Sequence, residues 1–211
     1  MKKSIIDRLT ILGCCIAFLT TSFATHTAAQ RGTSGDVKTS IAKIKTFDGS
    51  AVIPYAGASL SRNNEGMFST ISTSGLTPGT VVSLWWVIFN FPQNCVTPSC
   101  SPSDLNNPNV YGSLQYGGGA IVGAGGRADF GGFLEVDDNS GFYLLPQFPN
   151  MPNPAPGLAN RRGATIHLVI RTHGLASSES EVLNQQLTRF DGGCSVVPNP
   201  CANIQAAQFI P

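Results

Sequence analysis

Two histidines, one arginine and four cysteines carry most of the chemistry available to this 211-residue chain. The segment ATIHLVIRTHG places His167, Arg171 and His173 at even spacings, so in a strand, where side chains alternate with a period of two, they share a face. Six residues separate the two imidazoles, roughly 20 Å of extended chain, whereas ligands of one metal ion converge within a few ångströms. A shared metal is therefore not expected, and no metal, cofactor or catalytic residue is assigned. Arg171 and His173 are closer, about 6.6 Å apart along a strand. They could hold a carboxylate or phosphate between them, against the plainer expectation of an Arg171 ion pair with Asp129 or Asp191. His167, Arg171 and His173 are the candidate ligand-binding residues.

Cys95 and Cys100 bracket VTPS, and Cys194 and Cys201 bracket SVVPNP. Four cysteines allow three pairings, of which the spacing favours the two local ones. Each bridge would clasp a surface loop and contribute about 2 kcal/mol on the chain-entropy model. Neither pair is a CxxC, and an oxidising compartment favours structural bridges over redox or zinc chemistry. Other motifs carry less. Ser40 to Lys43 spell SxxK without its companion motifs, and no GxSxG occurs. GAIVGAGGRADFGGF lacks both GxGxxG and GK[ST]; it reads as a hairpin with Ala124, Gly125 and Gly126 at positive φ. Glu135, Asp137 and Asp138 run into Asn139, Ser140 and Gly141, which indicates a solvated turn, with a calcium loop as the rival.

The elements that must position these groups are strands. Only 12% of residues are charged, and 23 glycines and 14 prolines punctuate short runs rich in β-branched and aromatic residues. Runs such as GMFSTIST, TVVSLWWVIFNF, RADFGGFLEV and ATIHLVIRTHG predict an all-β fold, a single β-sandwich. In TVVSLWWVIFNF, Trp85, Val87 and Phe89 fall on one face and Leu84, Trp86 and Ile88 on the other, so this strand should be central, or covered on both sides. In ATIHLVIRTHG the face of Ala164, Ile166, Leu168 and Ile170 belongs to the core. The face of Thr165, His167, Val169, Arg171 and His173 is left for solvent, a partner or a site. Pro146, Pro149 and Pro152 have the three-residue repeat of polyproline II; a stiff loop lying over the sandwich and blunting an edge is expected, with a proline-recognising partner as the rival. Ser178 to Leu187 is the one short helical stretch.

Residues 1–29 read as a secretory signal peptide: Lys2, Lys3 and Arg8 precede an apolar stretch of about eleven residues and small residues at Ala24, Ala28 and Ala29. The stretch is short of the roughly 20 residues a spanning helix needs, so no retained membrane span is expected. A lipobox-like Ile11, Leu12, Gly13 before Cys14 is interrupted upstream by Asp7 and Arg8. Cleavage after Ala29 removes three positive charges and one negative, taking the formal charge from +1 to −1. With no basic surplus, nucleic acid is excluded as an expected partner. Residues 30–47 read as a flexible lead-in with room for one edge element, and 48–211 as the sandwich domain.

SGLTPGT, LWWVIFNFPQNC, GGAIVGAGGRADF, GATIHLVIRTHG, FDGGC and CANIQAAQF, in this order over roughly residues 74 to 209, resemble a group of uncharacterised exported bacterial β-sandwich proteins. The resemblance implies export, a compact β domain and the two local cysteine pairs, and it names no reaction. SGLTPGT and IHLVIRTHG are also similar in style to copper/zinc superoxide dismutase and chordin-type β-domains. This implies an immunoglobulin-like or superoxide-dismutase-like Greek key; the metal-binding histidines of the dismutase are missing. The expectation is an exported, disulfide-clasped binding or structural module in the periplasm, on the cell surface or outside the cell. Its partner would be a small molecule, a glycan or an envelope protein. The rival is a small secreted hydrolase or metal-dependent enzyme using the His167, Arg171 and His173 face.

Overall fold

The computed structural model describes residues 36–195 and 201–211. The signal-peptide segment lies outside them, as do residues 30–35 of the lead-in. Among the described residues the chain forms nine strands and one α-helix: β1 (Lys38–Ala42), β2 (Lys45–Thr46), β3 (Gly57–Arg62), β4 (Gly66–Thr73), β5 (Thr80–Phe89), β6 (Gly112–Ile121), β7 (Ala128–Glu135), β8 (Thr165–Leu175), α1 (Ser180–Thr188) and β9 (Ala202–Phe209). They build two antiparallel sheets, here sheet A, ordered β1-β3-β4-β7, and sheet B, ordered β2-β9-β8-β5-β6. The fold is the all-β sandwich that the strand spacing predicts. No helix among the described residues is long and apolar enough to cross a membrane.

Alternation supplies the core. β3 turns Ala58 and Leu60 inward and β4 turns Met67 and Ile71 inward; they meet Val82, Leu84, Trp86 and Ile88 of β5 and Ile166, Leu168 and Ile170 of β8. Each such side chain contributes roughly 1.5–3 kcal/mol by leaving water. β5 is buried along its whole length, as its doubly apolar pattern requires. Its other face, with Trp85, Val87 and Phe89, joins Val169 in a second apolar cluster.

What covers that second face is chain, not solvent. Leu105 and Val110 come from the β5–β6 connection, Leu145 and Met151 from the β7–β8 connection, and Phe190 from beyond α1. These three segments form a roof over the outer face of sheet B. Its main pin is Asn90, fully buried at the end of β5. The Asn90 amide donates to the carbonyls of Tyr111 (2.8 Å) and Gly157 (3.0 Å), while its oxygen accepts from the backbone N–H groups of Ala159 and Asn160.

Three expectations change. Residues 38–46 of the expected lead-in form β1 and β2, because Lys38 to Ala42 pair with β3 along their length and Ile44 is wholly buried in the core. GAIVGAGGRADFGGF is not a hairpin but a crossover between sheets, since β6 pairs with β5 while all eight residues of β7 pair with β4. Of its three turn residues only Gly126 is left-handed (φ +64°), and its carbonyl accepts from Leu76 N–H. The proline-rich segment is not polyproline II, which has no internal hydrogen bonds. It is wound into successive turns, Phe148 N–H to Leu145 O and Met151 N–H to Phe148 O; it does lie over the sandwich as expected, but on the outer face of sheet B rather than along an edge.

Candidate functional site

The candidate face of β8 lies beneath the roof. Thr165, His167, Val169 and His173 are all buried, and Arg171 is half-buried. The three covering segments, rather than solvent or a partner protein, are thereby the direct neighbours of the histidines.

His167 and His173 are held separately. His167 stacks at a tilt against Phe89, with 5.0 Å between ring centres, and its Nε2 lies 2.7 Å from the Ser99 carbonyl. A carbonyl only accepts, so Nε2 carries the proton and Nδ1 is the basic lone pair. His173 sits where the β5–β8 register shifts between Thr80 and Val82. Its Nδ1 is 2.8 Å from the Gly192 carbonyl and its Nε2 is 2.7 Å from Ser83 Oγ, which in turn accepts from Trp85 Nε1 at 2.7 Å. Nδ1 therefore bears the proton, and a relay runs from the Trp85 indole through the Ser83 hydroxyl and the His173 ring to Gly192. Gly192 is required by close approach: a Cβ there would run into the Gln185 carbonyl at 1.8 Å. Burial pushes the pKa of both imidazoles down; the carbonyl bonds to Ser99 and Gly192 oppose that without reversing it. Both rings are held neutral.

The Ser83–His173 contact has the distance of a nucleophile and its base. Both residues are fully buried, and the third partner is a carbonyl rather than a carboxylate. The geometry is that of a satisfied polar chain within a core. Ser83 was not singled out from the sequence, although it is the one polar residue between Val81 and Phe89.

Arg171 organises the roof from below. Its Nε donates to the Phe190 carbonyl (2.7 Å), one terminal nitrogen to Asn203 Oδ1 (3.0 Å), and its guanidinium lies 4.1 Å from the centre of the Phe190 ring. Of the two expected acidic partners, Asp129 lies on β7 in the other sheet. Burial lowers the Arg171 pKa, with the Asp191 charge opposing it; burial first and then the nearby Asp191 push the Tyr143 phenol up to about 12.

Both local cysteine pairs are disulfides, Cys95–Cys100 and Cys194–Cys201, each with Cα atoms 5.2 Å apart. Asp104 braces the first loop by accepting from Val96 N–H, Ser101 N–H and Ser101 Oγ. At the second, His173 Nδ1 and the two sulfurs lie within 4.8 Å of one another. A bridged sulfur lacks the thiolate charge that metal ligation uses, so in this form the trio is packing. Asp137 and Asp138 occupy the expected turn, where Asp138 accepts from Ser140 N–H and its carboxyl is held below the usual range by that bond.

Between roof and sheet lies a cavity of about 150 Å³. Trp85, Leu114 and Val169 form its floor, Leu105, Phe148 and Phe190 its walls, and His167, Asn203 and Gln147 its polar margin. Trp85 meets Phe190 edge to face at 5.1 Å. Of the three candidate residues only His167 lines this cavity. A wider, more polar depression of about 370 Å³ runs along β1 and β2 past Lys43, Lys45 and Gln208.

No family model matches the chain, and no curated protein matches it. A solved structure described as a SOD-like protein from Bacillus subtilis is similar at 15% identity and a TM-score of 0.32, over 81% of this chain and 97% of that chain. The two antiparallel sheets, not that likeness, establish the sandwich here.

Proposed function

We propose that this chain is an exported, disulfide-clasped β-sandwich that works as a binding module, with the cavity beneath the roof of sheet B as its site. The observation that carries this reading is the cavity itself: an apolar hollow with a few polar groups at its margin, the usual form of a small-molecule site. It joins the two regions singled out from the sequence, the His167 face of β8 and the proline-rich loop, which supplies Leu145 and Phe148. A glycan fits it poorly, since sugar hydroxyls need more polar partners than this lining offers. Export is supported by the two disulfides and by the basic and apolar N-terminus, and it agrees with the resemblance to exported bacterial proteins.

Native mass spectrometry of the secreted protein tests this directly. The expected species is cleaved after Ala29, lacks two hydrogens for each of its two bridges, and retains or takes up a small neutral molecule. An uncleaved chain, or free thiols at Cys95, Cys100, Cys194 and Cys201, overturns the reading.

A further inference from the structure

Resting on that reading of the cavity, we propose that its ligand is a small uncharged aromatic of one ring bearing a single hydrogen-bond donor, with phenol as the parent compound, and that His167 Nδ1 accepts the donor.

Size sets the first limit. Drug-sized ligands occupy pockets of roughly 300–1,000 Å³, whereas an apolar cavity of about 150 Å³ is known to admit benzene. The present cavity has that smaller volume. The walls set the second. Trp85, Phe148 and Phe190 offer ring edges and faces, which suit an aromatic guest through the edge-to-face contacts that Trp85 and Phe190 already make with each other.

Charge sets the third. No Asp, Glu, Lys or Arg lines the cavity, so an ionised ligand would lose its hydration without a counter-charge. The guanidinium nearest to it, Arg171, is committed to Phe190 and Asn203.

The remaining polar group defines the donor. His167 Nε2 is fixed on Ser99 O, which leaves Nδ1 as an acceptor, and among the described residues nothing donates to it. Burial keeps the ring neutral, so the lone pair is available. Asn203 Oδ1 is already occupied by Arg171, so Asn203 offers the cavity only its amide N–H groups, which a phenol oxygen can accept, and Gln147 is exposed at the rim. The His167 ring therefore brings one uncommitted acceptor to the lining, which matches one donor. A hydroxyl buried without a partner loses binding energy, so an apolar hollow alone would prefer toluene to phenol.

Titration calorimetry with phenol and with toluene, on the intact disulfide-bonded protein and on His167→Leu, decides the matter. Phenol is expected to bind the wild type with one molecule per chain and at least as tightly as toluene. In His167→Leu that preference is expected to shift toward toluene by about tenfold. Because the substitution also strands the Ser99 carbonyl, a second readout uses the wild type alone: the His167 ¹⁵Nδ1 resonance is expected to move on addition of phenol and to stay in place with toluene. If toluene binds and phenol does not, or the ratio is the same in both proteins, the donor assignment fails while the cavity remains a binding site. If neither compound binds, the binding-module reading fails with it.

Discussion

The two sheets treat their outer faces in opposite ways. On sheet A the outer face is open: Thr39 pairs with Ser61 and Ser59 with Thr70 through their hydroxyls, and the cross-strand neighbours Phe68 and Phe133 are 47% and 50% exposed. On sheet B the corresponding face is a second core, with Trp85 and Phe89 1% and 0% exposed beneath the roof. The backbone alternation is the same in both. The difference lies in the connections: the β3–β4 turn of sheet A takes three residues, while the β5–β6, β7–β8 and β8–β9 connections are long and carry the disulfides, the aromatic walls and the cavity. Long ordered loops anchored to a rigid sheet are where binding functions usually reside.

The sharpest way to break this contrast is to truncate one aromatic on each outer face. Trp85→Ala removes a ring packed edge-on against Tyr116, Tyr143 and Phe190, and it takes away the indole N–H that donates to Ser83 Oγ. The expected loss is about 3–5 kcal/mol. Phe133→Ala, on the open face, is expected to cost under about 1 kcal/mol. Urea unfolding measures both, and similar losses would mean that the roof is no core.

The disulfides come next in size. Both lie in roof segments, and each closes a short loop, so removing either pair as a double Cys→Ser variant should cost about 2 kcal/mol. The two should differ in a second measurement. Cys194 follows Phe190 by four residues, and Arg171 ties Phe190 to β8, so Cys194→Ser with Cys201→Ser should also change the near-ultraviolet circular dichroism of Trp85. An unchanged aromatic spectrum would separate the clasp from the cavity wall.

In sheet A the buried sides of β4 and β7 follow from the alternation in GMFSTIST and RADFGGFLEV, whereas the pairing of β1 with β3 and of β7 with β4 does not. The doubly apolar run of β5 likewise announced a covered strand. The cover could not be read, since long-range docking leaves no local period. Asn90 and Gln186 illustrate why. Asn90 holds residues 157–160, and Gln186 donates to the carbonyls of His173 and Leu175, so each acts through partners distant in sequence. The even spacing of His167, Arg171 and His173 correctly put them on one face. It did not reveal that Ser99, Gly192 and Phe190 would supply their hydrogen-bond partners.

The smallest expected effect is a dependence on pH that belongs to sheet B alone. Both structurally described histidines lie under its roof, and burial lowers both imidazole pKa values from the ordinary 6.5. As pH falls below about 6.5, the unfolded chain takes up protons that the native rings resist, so stability falls by at most about 1.4 kcal/mol per pH unit per histidine. Protonating His173 would place a second ring N–H against Ser83 Oγ and force that hydroxyl to turn away from the ring. The carboxylates contribute in a lower window: hydrogen bonds from Thr46 and Ser50 hold Asp48 at about 2, below its ordinary 3.8, so its stabilising effect is lost as pH falls from 3.8 through about 2. Urea midpoints measured from about pH 7 down to about pH 5 should therefore fall, and the fall should diminish in His173→Gln. A flat profile across that interval would mean that the rings are not held neutral, and with it the roof would lose its claim to be a second core.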